Sequence, residues 1–241
     1  MGYRRCIVVV RACTVRVRRE RIGLQGQGSL FDEVPERAGV PPQPLRTGVW
    51  HLPRMADPVA LAPLLERVLV QAPPRRMVTP GGHLMSVAMS NCGQHGWVSD
   101  RTGYRYQDTD PDSGERWPAM PHAFASLATR AAARCGFERF EPDVCLINRY
   151  RPGDRMGAHR DMDERDAGAP IVSVSLGIPA RFFIIGPERR GRATAIDVRD
   201  GDVVVFGGPA RLHYHGVRPV WPATNERYGA CRWNLTFRRA V

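Results

Sequence analysis

From Val144 to the C-terminus, apolar and polar positions alternate in short runs separated by turn residues. Period-two alternation puts successive side chains on opposite faces of a strand. It predicts strands over Val144–Tyr150, Ile171–Gly177, Arg181–Ile185, Thr194–Val198, Asp202–Phe206, His213–Val217 and Arg232–Phe237. Arg151-Pro-Gly153, Gly186-Pro187, Asp200-Gly201 and Gly207-Gly-Pro209 are the turn signals between them. Upstream the period changes. Leu61, Leu64, Leu65, Val68 and Leu69 recur at helical spacing behind Asp57-Pro58, an N-cap and first-turn pair. A second helix is predicted from near Pro121, carrying Phe124, Leu127, Ala128 and Ala131–Ala133 and ending at Gly136. Residues 75–120 show neither period and read as irregular; their aromatics, Trp97, Tyr104 and Tyr106, suit a functional lid. The predicted class is mainly β with flanking helices (α+β), a sandwich or barrel with helices buttressing one sheet.

Composition changes this picture at one end only. The chain has 241 residues, enough for one sizeable core, and no apolar run approaches the roughly 20 residues that span a bilayer. Of the formal net charge of +11, residues 1–28 supply +6. That arginine-rich, glycine-containing stretch has little to bury and is expected to be a disordered extension, leaving 29–241 as a single domain. The remaining excess of +5 is compatible with a nucleic-acid ligand without requiring one. Six cysteines without a C-x-x-C pair exclude a zinc ribbon and lead us to expect reduced thiols in a cytoplasmic protein.

The candidate chemistry lies in three places. His159-x-Asp161 sets an imidazole and a carboxylate on one side of an extended segment, and His213-Tyr-His215 offers two further candidates. Two histidines and one carboxylate are the ligand set of a non-haem Fe(II) site with open positions. On the last predicted strand Arg232, Asn234, Thr236 and Arg238 share one face, opposite Trp233, Leu235 and Phe237. Asn148 and Tyr150 project together from an earlier strand. If both polar faces line a barrel, they form a bidentate clamp for a dicarboxylate. Alone, each feature has an ordinary reading: a solvated charged loop for 157–166, an amphipathic strand for 232–238.

At these residues the chain resembles the AlkB family of DNA-repair dioxygenases. The resemblance is carried by Met77-Val-Thr-Pro-Gly-Gly82, Met85-Ser-Val-Ala-Met89, Asn91-Cys-Gly93, Gly96-Trp97 and Trp117-Pro-Ala-Met-Pro121. It continues through Cys145-Leu-Ile-Asn-Arg-Tyr150, His159-x-Asp161-x-Asp163-Glu164, Ala169–Gly177, Tyr214-His-Gly216 and Asn234-Leu-Thr-Phe-Arg238. It implies a double-stranded β-helix (jelly-roll) core with an N-terminal nucleotide-recognition lid at about 75–120, and a requirement for Fe(II), 2-oxoglutarate and O2. By motif His159, Asp161 and His215 would hold iron and be catalytic, which selects His215 over His213. Arg232 and Arg238 would hold 2-oxoglutarate, helped by Asn148, Tyr150 and Asn234. On the substrate side, Trp97 would stack near a flipped base and Tyr104, Arg105 and Tyr106 would meet the nucleic-acid backbone. Asp163 would address the damaged base, with Arg189 nearby. The implied reaction is demethylation of 1-methyladenine and 3-methylcytosine in alkylated DNA by a monomer that meets no membrane. Alternatives are a same-fold oxygenase acting on RNA or protein, and a non-catalytic nucleic-acid-binding module. A metal hydrolase on a similar barrel would have no use for the two arginines.

Overall fold

The computed structural model describes residues 40–241, so the expected extension over 1–28 and the start of order at Ser29 lie outside the described residues. In chain order the elements are β1 (Gln43–Arg46), β2 (Val49–Leu52), α1 (Pro58–Gln71), β3 (Arg75–Val78), β4 (Leu84–Gly93), β5 (Gly96–Asp100) and β6 (Gly103–Gln107). There follow α2 (His122–Ala133), β7 (Val144–Tyr150), β8 (Met156–His159), β9 (Ile171–Gly177), β10 (Ala180–Ile184) and β11 (Thr194–Val198). The chain closes with β12 (Val203–Phe206), a 3-10 turn (Gly208–Ala210), β13 (His215–Val217) and β14 (Arg232–Arg238).

Eight strands form one sheet in the order β1-β2-β12-β9-β14-β7-β4-β3, and four form a second, β11-β10-β13-β8. Every pairing is antiparallel. Alternation along the central strands sorts the side chains. Trp233, Leu235 and Phe237 of β14, with Val172, Val174 and Leu176 of β9, join Leu61, Leu65, Phe124 and Leu127 of the two helices in one core. Val204 and Phe206 of β12 meet Phe182, Ile184 and Val217 of the smaller sheet in another. The result is a two-sheet jelly roll whose larger sheet carries both helices on its outer face. All seven residues of β14 are buried, so its polar face meets the other sheet and not solvent.

The helix α1 starts as predicted. Asp57 accepts a hydrogen bond from the Val59 amide at 2.9 Å, and Pro58 occupies the first turn, where its missing N–H costs nothing. Asp57→Ala should cost about 1 kcal/mol, a Tm decrease of roughly 2–4 °C for a chain of this size. Turnover should be unchanged, because α1 packs on the face away from the cavity. A thermal melt paired with an activity assay checks both.

The reading of 75–120 as irregular is corrected. It contains four strands, of which β3 and β4 extend the large sheet and β5–β6 form a separate hairpin. β4 does not alternate in sequence: Val87, Ala88 and Met89 run together and are followed by Ser90 and Asn91, all of them buried. Among the described residues Cys92, Cys135 and Cys145 are buried free thiols. Among the described residues no helix is long and apolar enough to cross a membrane.

Candidate active site

Strand register brings the two histidines together. β13 pairs with β8 so that His215 sits directly opposite His159, with ring centroids 4.5 Å apart. Gly216 permits this approach, since a Cβ there would lie 2.5 Å from the Met156 carbonyl and 2.9 Å from that of Gly157. Asp161 follows just past the end of β8. One donor atom from each of His159, Asp161 and His215 lies within 4.8 Å of the others. The Asp161 carboxylate is 3.5 Å from His159 Nε2 and 3.6 Å from His215 Nε2. Each ring hydrogen-bonds through Nδ1 to a backbone carbonyl, His159 to Gly157 at 2.9 Å and His215 to His213 at 3.0 Å. Donation from Nδ1 leaves both Nε2 lone pairs facing the carboxylate, the tautomer that binds a metal. His213, the other candidate, is not part of the cluster.

Electrostatics agree with a cation site. Burial opposes ionisation of Asp161, but Arg238, His215 and His159 together hold its carboxyl well below the usual range. Burial and the neighbouring His159 push His215 down. Burial acts the same way on His159, where the hydrogen bond and charge of Asp161 prevail and raise it. Arg238 Nη2 lies 2.8 Å from Asp161 Oδ2 as an ion pair, yet Oδ2 has no hydrogen-bond partner. Two inward nitrogen lone pairs and an unsatisfied buried carboxylate oxygen fit a small divalent cation.

The same cavity, about 60 Å³, is lined by Asn148, Tyr150, Arg232, Asn234, Thr236 and Arg238 from the large sheet. The pairing of Arg232 with Tyr150 and Asn234 with Asn148 across β14 and β7 sets these side chains in adjacent rows. The two arginines are not equivalent. Arg238 touches Asp161, receives a partner in the Tyr106 hydroxyl at 3.0 Å and faces Glu164 at 3.4 Å. Burial works against its charge, but these neighbours, Asp161 foremost, hold its pKa above the ordinary value. Arg232 is fully buried over the Tyr150 ring, with Nη2 donating to Ser175 at 2.9 Å and no described carboxylate paired with it. Its Nε and Nη1, and the Asn148 carbonyl oxygen, have no partner. Burial lowers the Arg232 pKa accordingly. An unpaired guanidinium enclosed in protein is costly unless an anion completes it. A carboxylate fits there.

The hairpin β5–β6 is bonded to the segment after β8 through Trp97 and Tyr106. Asn91, buried in β4, donates to the Trp97 carbonyl and accepts from the Trp97 amide, both at 3.0 Å. That pair fixes the indole, which stacks on Tyr104 at 5.5 Å and donates from Nε1 to Asp163 at 2.8 Å. Arg105 pairs with Asp100 at 2.8 Å. Tyr106 differs from its neighbours in the hairpin. Its hydroxyl turns inward, donating to Glu164 at 2.6 Å and accepting from Arg238. Arg189 lies on the exposed loop between β10 and β11 and does not reach the cavity lining. Neither Asn91 nor the buried Arg211 is marked as a site residue by the sequence.

Comparison with known proteins follows the same lines. The chain matches the family model for the 2OG-Fe(II) oxygenase superfamily over residues 48–238. It is 48% identical over 200 residues to the alpha-ketoglutarate-dependent dioxygenase AlkB of Escherichia coli (strain K12), covering 82% of this chain and 93% of that one. It is 34% identical over 127 residues to the nucleic acid dioxygenase ALKBH1 of Homo sapiens, covering 52% of this chain and 32% of the human protein. Among solved structures, OsALKBH1 matches with a TM-score of 0.71 at 27% identity, covering 83% of this chain and 100% of the other.

Proposed function

Because this chain belongs to the 2OG-Fe(II) oxygenase superfamily, and within it to the AlkB family, we propose that it removes methyl groups oxidatively from alkylated bases in DNA. The protein is an Fe(II)- and 2-oxoglutarate-dependent dioxygenase. The observation that carries the proposal is one cavity holding three convergent donors beside a buried arginine with two unpartnered nitrogens, next to a hairpin whose indole is bonded to the Asp163 carboxylate of the segment after β8.

In this reading His159, Asp161 and His215 hold the iron, and Arg232 binds a 2-oxoglutarate carboxylate with Asn148, Tyr150 and Asn234 around it. Arg238 keeps Asp161 ionised and oriented. Bound there, Fe(II) with 2-oxoglutarate and O2 supplies an oxidant for C–H bonds, with succinate and CO2 as by-products. Hydroxylation of an N-methyl group gives an adduct that releases formaldehyde and restores the base. The cavity walls, apolar at Leu146, Phe182 and Phe206, keep bulk water from the reacting atoms.

The hairpin supplies selectivity. Methylation at N1 of adenine or N3 of cytosine makes the base cationic and removes its pairing edge, which lowers the cost of flipping it out. Asp163, exposed at the mouth, is bonded to the neutral Trp97 N–H. A cationic base offers that carboxylate a stronger, charge-assisted partner and gives the indole a face to stack on. Asp163→Ala should therefore lower kcat/KM for a 3-methylcytosine oligonucleotide about tenfold, the contribution of one charge-assisted hydrogen bond. Substrate-free 2-oxoglutarate turnover should be unchanged. Equal losses in both assays would remove this role. Tyr104 and Arg105 remain the hairpin's candidates for phosphate contact, and Arg189 reaches DNA only through its loop. We assign the enzyme to the cytoplasm as a monomer, with matched methylated DNA and RNA oligonucleotides as the test of its preferred polymer.

A further inference from the structure

Strand pairing fixes His159 and His215 against one another, but Asp161 lies beyond the end of β8. It opens a segment, 161–169, that contains neither helix nor strand. A metal ligand on such a segment needs something else to hold its backbone.

We propose that Arg211 is that positioning residue, locking the loop that carries Asp161 to the segment that carries His215. The inference rests on the reading of His159, Asp161 and His215 as metal ligands. Arg211 ends the 3-10 turn just upstream of β13, and its side chain is 3% exposed. Its guanidinium divides among three acceptors, all in the loop. Nη1 donates to the Asp161 carbonyl at 2.7 Å, Nε to the Ala169 carbonyl at 2.8 Å, and Nη2 to Glu164 Oε2 at 3.0 Å. The fork therefore grips the loop at its beginning, middle and end.

Glu164 extends the grip. Its side chain is 1% exposed, and its other oxygen accepts from Tyr106 at 2.6 Å and faces Arg238 Nε at 3.4 Å. The Arg211–Glu164 pair thus stands behind Asp161, between the hairpin and the cavity. A buried ion pair is weak evidence for stability, because desolvating both charges offsets their attraction. What it does supply is a unique arrangement: planar, multi-acceptor geometry that lysine does not reproduce. Groups that orient metal ligands typically change metal affinity 10–100-fold when removed. Arg211 acts on Asp161 through its backbone, without touching the metal.

The test measures Mn(II) binding alone, from loss of the free-ion EPR signal, at a temperature well below each variant's own Tm. Arg211→Lys keeps the charge but not the fork, and Arg211→Met with Glu164→Met removes the pair without leaving an unpaired buried charge. The proposal expects Mn(II) affinity to fall at least about tenfold in both, with His159 and His215 intact. Folded variants that bind Mn(II) as the wild type does, whatever their Tm, overturn it and leave Arg211 a purely structural residue. His215→Ala runs alongside. If that change leaves Mn(II) binding intact, the ligand assignment itself has failed and the Arg211 inference falls with it. Loss in His215→Ala together with wild-type affinity in both Arg211 variants rejects Arg211 alone.

Discussion

Arg232→Met is expected to raise the KM for 2-oxoglutarate by about a hundredfold or more while leaving the apo protein as stable as before, or more so. The two halves share one cause. In the structure Arg232 is a buried cation with Nε and Nη1 unpartnered, held by Ser175 and by Tyr150 beneath it, with no described carboxylate paired to it. Removing one member of a buried charge pair costs roughly 3–5 kcal/mol, and here the pair exists only with cosubstrate bound. Without it, methionine replaces an uncompensated charge by an apolar chain of similar length, which is neutral or stabilising in a buried site. Calorimetric titration of 2-oxoglutarate together with a thermal melt separates the two effects. A variant that binds 2-oxoglutarate normally, or loses it only because it unfolds, would refute the carboxylate role.

Asp161→Ala is expected to show the opposite pattern in stability and an even larger effect on turnover. Turnover should fall at least about a thousandfold, since the loss of a ligand removes the metal on which the oxidation depends. The apo protein should also be destabilised by on the order of 2 kcal/mol, the cost of leaving a buried group unsatisfied. The group is Arg238, whose 2.8 Å partner disappears while Glu164 at 3.4 Å remains. Iron content after anaerobic loading and desalting, with a thermal melt, checks both parts. Iron retained at wild-type stoichiometry would contradict the ligand assignment. The paired outcomes make a joint signature: one charge change that spares the apo fold, and one that does not.

Much of this was legible in the sequence where a single periodicity governs. β7, β9 and β11 begin and end where the alternation and turn residues put them, and β14 runs one residue further, to Arg238. Each of these strands has a turn or glycine at its margin and a clear division between its faces. The polar face of β14 was legible for the same reason: Arg232, Asn234, Thr236 and Arg238 are two apart on one strand, so sharing a face follows from the pleat. β4 was missed because Val87-Ala-Met-Ser-Asn-Cys92 groups its apolar and polar residues in blocks, whereas β9 and β14, buried on both faces too, still alternate them. The short strands β1 and β2 carry too few residues to show an alternation. Contacts across long separations were also beyond reach. Nothing local marks Arg211 as the partner of a loop about fifty residues earlier, Asn91 as the anchor of Trp97, or Tyr106 as a hydroxyl turned toward Glu164. Those depend on how the sheets and the hairpin meet.

The most direct test of the account is methyl loss, followed by mass spectrometry, from a DNA oligonucleotide carrying 1-methyladenine or 3-methylcytosine. The reaction holds purified protein, Fe(II), 2-oxoglutarate and ascorbate, with a parallel reaction lacking 2-oxoglutarate. The account predicts demethylation only in the complete mixture, with formaldehyde and succinate formed alongside. Persistence of the methyl groups in folded, iron-loaded protein would contradict it, and succinate formation under those conditions would narrow the failure to the substrate.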